Sequence, residues 1–122
     1  RLVKGAYDEG EEIAYTEKSA VNEHYREDLE TLFADYAGEV AVGSHDPKMI
    51  DYARDLREEY GREFEIQMLM GVREDAQRDL AAEGEEVWQY APYGDKWLSY
   101  FYRRLRERKE NALFALRAIV SG

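Results

Sequence analysis

Residues 39–71 read EVAVGSHDPKMIDYARDLREEYGREFEIQMLMG, and this stretch decides the fold. It holds two apolar runs of strand length, Val40 to Val42 and Phe64 to Leu69, each followed by turn chemistry. Between them Met49, Ala53, Leu56 and Tyr60 recur at helical spacing. Asp46 before Pro47 is a start signal, because an aspartate accepts an orphan amide of the first turn while proline sits there without losing a bond. Gly61 is placed to close that helix. Strand, helix and strand in this order predict parallel strands joined by a right-handed crossover.

The same alternation continues outward in both directions. Leu2 to Tyr7 and Val87 to Tyr90 are further strand-like runs. Tyr25, Leu29, Leu32, Phe33 and Tyr36 mark one helical face, with Gly38 as its stop, and Val72, Ala76 and Leu80 mark another. The reading is α/β: four βα units and a longer helical tail, with no sequence repeat, low-complexity segment or linker, so residues 1–122 are expected to form one unit. Strands this apolar are expected to be covered on both faces, and four of them cannot close a barrel. The chain is therefore expected to be a small open sheet or half of something larger.

Size and charge exclude several classes. At 122 residues the chain is too short for a complete (βα)8 barrel, which takes roughly 250. The net charge of −10 removes the footprint of a nucleic-acid binder. With no cysteine there is no disulfide frame, thiolate zinc site or cysteine nucleophile, which fits a reducing compartment. No apolar run approaches 18 residues, and the first residues carry neither an initiator methionine nor a signal core, so a non-exported, incomplete chain is expected. Twelve arginines against five lysines, with acid in runs such as Asp8 to Glu12, suit a salt-adapted surface as well as a merely acidic cytoplasmic one.

In α/β folds reacting groups gather at the C-terminal ends of strands. Those positions are Tyr7 and Asp8, Ser44 to Asp46, Met70 with Gly71, and Ala91 to Gly94. No phosphate-cradling glycine motif occurs, His24 falls in a charged helical stretch as surface, and the two histidines have no metal-ligand spacing, so no metal is expected. Tyr100, Arg103, Arg104 and Glu107 share one helical stripe opposite Leu98, Phe101 and Leu105. That stripe reads either as a solvated face with an Arg103 to Glu107 pair or as a guanidinium fork for a substrate carboxylate.

Five segments together carry a resemblance: Arg1 to Tyr7 (RLVKGAY), Ser44-His45-Asp46, Phe64 to Gly71 (FEIQMLMG), Tyr90 to Gly94 (YAPYG), and Tyr100-x-x-Arg103-Arg104-Leu105-x-Glu107-x-x-x-Asn111. In this order and spacing, across nearly the whole chain, they resemble the C-terminal half of the proline dehydrogenase family. The resemblance implies strands five to eight of a (βα)8 barrel with the arginine-bearing helix over the strand C-terminal ends. It also implies FAD as cofactor, L-proline oxidised to 1-pyrroline-5-carboxylate, and a quinone-type electron acceptor. Arg1 is then the catalytic contact near the reactive flavin nitrogen, and Lys4, Gly5 and Ala6 line the cofactor. Ser44 and His45 hold its phosphate and adenosine end, with Thr16 and Lys18 as a further phosphate-side pair. Tyr7, Leu69, Tyr90 and Tyr100 wall the proline ring, Arg103 and Arg104 bind its carboxylate, and Glu107 pairs with one of them. Ser44 departs from the family's usual threonine but retains the hydroxyl. The N-terminal half of the barrel, with a substrate-contacting lysine, an aspartate and a flavin-contacting glutamine, is absent from these residues, so the isolated chain is expected to be inactive. The implied location is cytoplasmic, with a peripheral position at the cytoplasmic membrane face also open. Two other readings stand beside this one: a non-catalytic half-barrel that self-associates through its strand edges, and a different βα-barrel enzyme with an arginine clamp for another carboxylate.

Overall fold

The computed structural model describes residues 1–5, 10–103 and 106. Four strands, β1 (Leu2–Val3), β2 (Val40–Gly43), β3 (Phe64–Leu69) and β4 (Val87–Tyr90), alternate with α1 (Lys18–Asp35), α2 (Pro47–Tyr60) and α3 (Glu74–Ala82). A further helix runs through residues 97–103. The sheet order is β1-β2-β3-β4 and every neighbour is parallel. These βα units form the α/β arrangement that the alternation of apolar runs predicts, consistent with the half-barrel that the resemblance implies. The register sets Leu2, Val42, Ile66 and Val87 side by side, so these side chains share one face.

The core sits between that face and the helices. Phe33, Leu29, Met49, Leu56, Ile66, Met68 and Val42 are its largest fully buried side chains. Along β3 burial alternates with period two: Phe64, Ile66 and Met68 point into the core, while Glu65, Gln67 and Leu69 face the other way and are half-buried. The second face differs from the expected two-sided cover. Val3, Trp88 and Tyr90 on it are each more than half exposed, and no described helix packs across it. The apolar strands are thus only half covered by the described helices.

Local chemistry explains α2 well. Asp46 accepts the amide of Lys48 at 3.1 Å and Pro47 occupies the first turn. At the other end Gly61 takes a left-handed φ of 62° and donates its amide to the Arg57 carbonyl at 2.8 Å. The end of α1 departs from expectation. Tyr36, expected on the apolar face, is an extended cap residue and 53 % exposed, and Gly38 takes no left-handed φ. Arg62, from the turn before β3, closes this end instead. Its guanidinium donates to the carbonyls of Leu32 (3.2 Å), Phe33 (3.0 Å), Gly38 (2.6 Å) and Tyr36, satisfying acceptors that a helix end leaves orphaned. Val72 also departs, lying before α3, whose buried residue is the polar Gln77. At the N-terminal end of β4, Arg54 and Arg57 of α2 grip Glu85 in the turn before that strand at 2.7 and 2.9 Å, and Arg54 reaches Glu83 at 2.6 Å.

Candidate functional site

The strand C-terminal ends hold a connected set of polar contacts. Lys4 extends the β1 ladder by donating its amide to the Gly43 carbonyl at 3.1 Å. A Cβ on Gly43 would stand 3.0 Å from a methyl of Val3 and 3.1 Å from the Leu2 carbonyl, so the close approach of β1 to β2 leaves little room for a side chain there. From this position the Lys4 ammonium reaches the Asp46 carboxylate at 2.7 Å. Asp46 is thus both the cap of α2 and the partner of Lys4. The Lys4 hydrogen bond holds its carboxyl below the usual carboxylate range, against the effect of burial, and the charge of Lys18 acts in the same direction. Ser44 is buried, and its hydroxyl accepts the Asp46 amide at 3.1 Å. The structure therefore brings Lys4, Ser44 and Asp46 to one end of β1 and β2.

His45 joins this group to the next strand. Its Nε2 accepts the Leu69 amide at 3.2 Å, so that nitrogen carries no proton, and its carbonyl accepts from Arg73. Beyond β3, Met70 donates its amide to the Tyr90 carbonyl at 3.0 Å, and its own carbonyl accepts the Tyr100 hydroxyl at 2.8 Å. The rings of Tyr90 and Tyr100 lie 5.9 Å apart. Tyr100 is buried whereas Leu98 is 64 % exposed, so it is the face bearing Tyr100 that turns toward the strand ends. Leu69, Tyr90 and Tyr100 are consequently neighbours. Arg103, one turn beyond Tyr100, is exposed.

Other predicted residues are more dispersed. Arg1 lies on the open sheet face, donating to the Gln67 amide oxygen at 3.3 Å. Gly5 has open space where a Cβ would point. Thr16 is exposed and donates its hydroxyl to Glu11 at 3.5 Å, and Lys18 is the first residue of α1. Ala6, Tyr7, Arg104 and Glu107 fall outside the described residues. His24, expected as solvated surface, is part-covered: it stacks on Tyr15 with centroids 4.0 Å apart and places Nδ1 3.0 Å from Glu27. Sequence reasoning missed two functions here. Asp46 was legible as a cap but not as the counter-ion of Lys4, and Gln67 carried no signal beyond being the polar alternate of an apolar strand.

The open face suits a planar, partly anionic cofactor such as the FAD implied by the sequence resemblance. Trp88 and Tyr90 offer half-exposed aromatic surfaces and Arg1 brings a guanidinium to the same face, where the Gln67 amide donates to Glu65. Among the described residues no group of three or more His, Asp or Glu side chains could hold a metal ion, and no helix is long and apolar enough to cross a membrane.

Comparison with known proteins agrees with this arrangement. The profile of the proline dehydrogenase family matches residues 1–117. The chain is 44 % identical over 124 aligned residues to proline dehydrogenase 2 of Bacillus subtilis (strain 168), covering 98 % of the chain and 40 % of that protein. It is 40 % identical over 125 to proline dehydrogenase 1 of the same strain, again covering 98 % and 40 %. Against the proline dehydrogenase of Deinococcus radiodurans it is 40 % identical over 125, covering 100 % of the chain and 40 % of that protein. The chain thus spans about two fifths of the length of these relatives. A family match over nearly every residue, on a parallel βα sheet whose strand ends gather the motif residues, establishes that this chain belongs to the proline dehydrogenase family.

Proposed function

We propose that this chain supplies the C-terminal half of an FAD-dependent site that oxidises L-proline to 1-pyrroline-5-carboxylate and passes the electrons to a quinone-type acceptor. One observation carries this reading: the sheet leaves open the face that bears Arg1, Leu69 and Tyr90, and Tyr100 closes its C-terminal end. Bound FAD supplies the acceptor for the two electrons leaving the substrate. The chain's residues bind and orient. Leu69, Tyr90 and Tyr100 wall the ring, and Arg103 with Arg104 forms the fork for the carboxylate, Glu107 holding one guanidinium. Ser44, His45, Thr16 and Lys18 serve the phosphate and adenosine end, with Lys4, Gly5 and Ala6 along the cofactor and Tyr7 toward the substrate. Arg1 would lie along the bound flavin, where its guanidinium would favour negative charge. The remaining contacts come from the barrel half these residues do not include, so residues 1–122 are one half-domain and inactive alone. The reading keeps a cytoplasmic location, with a peripheral position at the cytoplasmic membrane face as the place where a quinone-type acceptor would be met.

The test is spectroscopic and kinetic, on the complete protein that carries this chain. It should show flavin absorbance that bleaches with L-proline. Arg103→Met should raise KM for L-proline about tenfold or more, the cost of a lost hydrogen bond to a charged group, with bound FAD unchanged. Absent flavin absorbance, or a KM within about twofold of wild type, would refute the assignment.

A further inference from the structure

The turn between β3 and α3 is where the site's strands meet, and several of its backbone polar groups are taken by side chains. The Leu69 amide goes to His45, and the Met70 carbonyl receives Tyr100. Two further carbonyls of the turn are reached by the side chain of Gln77, the buried residue of α3, which is 6 % exposed. Its Nε2 donates to the Leu69 carbonyl at 3.0 Å and to the Val72 carbonyl at 2.7 Å. Its Oε1 accepts from Nε2 of Gln89 on β4 at 3.0 Å. Both amide protons are thus spent on the turn, and the oxygen is fixed by the neighbouring strand, which sets which way the amide faces.

This is an expensive place for a polar side chain unless the turn requires it. A leucine or methionine would fill the same space in α3 and extend the apolar face of the helix, but it would strip the half-buried Val72 carbonyl of its side-chain donor and leave the Leu69 carbonyl only the 3.3 Å bond from the Val72 amide. We infer that Gln77 is a positioning residue of the site: by clamping the Leu69 and Val72 carbonyls it fixes the turn that carries Leu69 against His45 on one side and Tyr100 on the other. The inference rests on the proposed L-proline site. On that reading Gln77 acts through Leu69, whose carbonyl it holds, rather than as a ligand contact. The backbone link runs in both directions from that residue, through its amide to His45 and, one residue on, through the Met70 carbonyl to Tyr100.

Two variants test it in the complete protein. Gln77→Met keeps the length of the side chain and removes both donors. Gln89→Met leaves Gln77 in place, removes only the contact that orients its amide, and lies at an exposed position that tolerates the change. Hydrogen exchange followed by mass spectrometry reads the turn directly, with β2 as internal control. In Gln77→Met the turn should exchange about tenfold faster while β2 is unchanged. KM for L-proline should rise about tenfold with kcat within about threefold and FAD content at the wild-type level, a split that general loss of stability does not produce. Gln89→Met should move both readouts the same way by about threefold, and it decides the matter if Gln77→Met does not fold. Unchanged exchange in the turn overturns the inference whatever the substrate. Faster exchange with an unchanged KM also overturns it, since the turn would then not govern the site. A wild-type protein that fails to oxidise L-proline refutes the proposed function instead, and the exchange measurement still judges the clamp.

Discussion

The contact between Lys4 and Asp46 allows a quantitative test, because one carboxylate serves two structural purposes that different substitutions separate. One oxygen of Asp46 accepts the Lys48 amide as the cap of α2, and the other binds the Lys4 ammonium at 2.7 Å. The side chains of Lys4 and Asp46 are 14 % and 22 % exposed, between the solvated pairs that contribute little and the fully buried ones. A hydrogen bond to a charged group at this depth is expected to contribute about 1.5 kcal/mol, and the cap about 1 kcal/mol. Asp46→Asn keeps an oxygen for the cap and loses the charge, so it should cost about 1.5 kcal/mol. Asp46→Ala loses both and should cost about 2.5 kcal/mol. Lys4→Met retains the stem and should cost about as much as Asp46→Asn, whereas the Lys4→Met, Asp46→Asn double variant should recover about 1.5 kcal/mol of coupling. Urea unfolding at neutral pH measures all four. Because the folded carboxyl of Asp46 lies below its unfolded value of about 3.9, the stabilisation is fully present above that pH and disappears as pH falls through the folded value. A coupling below about 0.5 kcal/mol at neutral pH would show the pair to be screened like a surface contact and refute the reasoning.

Other outcomes follow from the same structure. Glu85→Gln should destabilise by about 2 kcal/mol in urea unfolding, because the 7 % exposed carboxylate is the shared partner of Arg54 and Arg57. Burial pushes that carboxyl up, but the two guanidiniums outweigh it and the net direction is down, so its stabilisation is also lost as pH falls below the ordinary glutamate range; the variant should unfold less steeply in acid. Gly61→Ala, at a φ of 62°, should cost about 1 kcal/mol, and an unchanged urea midpoint would contradict the strain argument. Thermal melts in rising KCl should shift upward, since screening relieves repulsion in a chain of net charge −10, and a flat or falling melting temperature would count against a salt-adapted surface.

The strands of this protein were legible wherever local pattern suffices. Val87 to Tyr90 and Phe64 to Leu69 are observed over the same residues that the sequence marks, and β2 differs only by including Gly43. The start of α2 at Asp46 and Pro47 and its stop at Gly61 were equally plain, because cap chemistry acts over four or five residues. The end of α1 was not, because the group that closes it, Arg62, lies 24 to 30 residues away along the chain. For the same reason periodicity placed Val72 on the helical face and overlooked Gln77, whose value lies in carbonyls that only the folded turn presents.

The sequence by itself thus determined the alternation of strand and helix, the parallel order it implies, and the membership of the family, since each rests on short-range pattern and on motifs in fixed order. Only the tertiary structure decided which sheet face is covered and which is open. It alone paired Lys4 with Asp46 across 42 positions of chain and made the β3 to α3 turn the meeting point of His45, Tyr90 and Tyr100. The physical reason is the same in each case. A propensity or a cap is a property of neighbouring residues, whereas the partner of a buried polar group is whichever donor or acceptor the packing of distant elements brings within 3 Å or so.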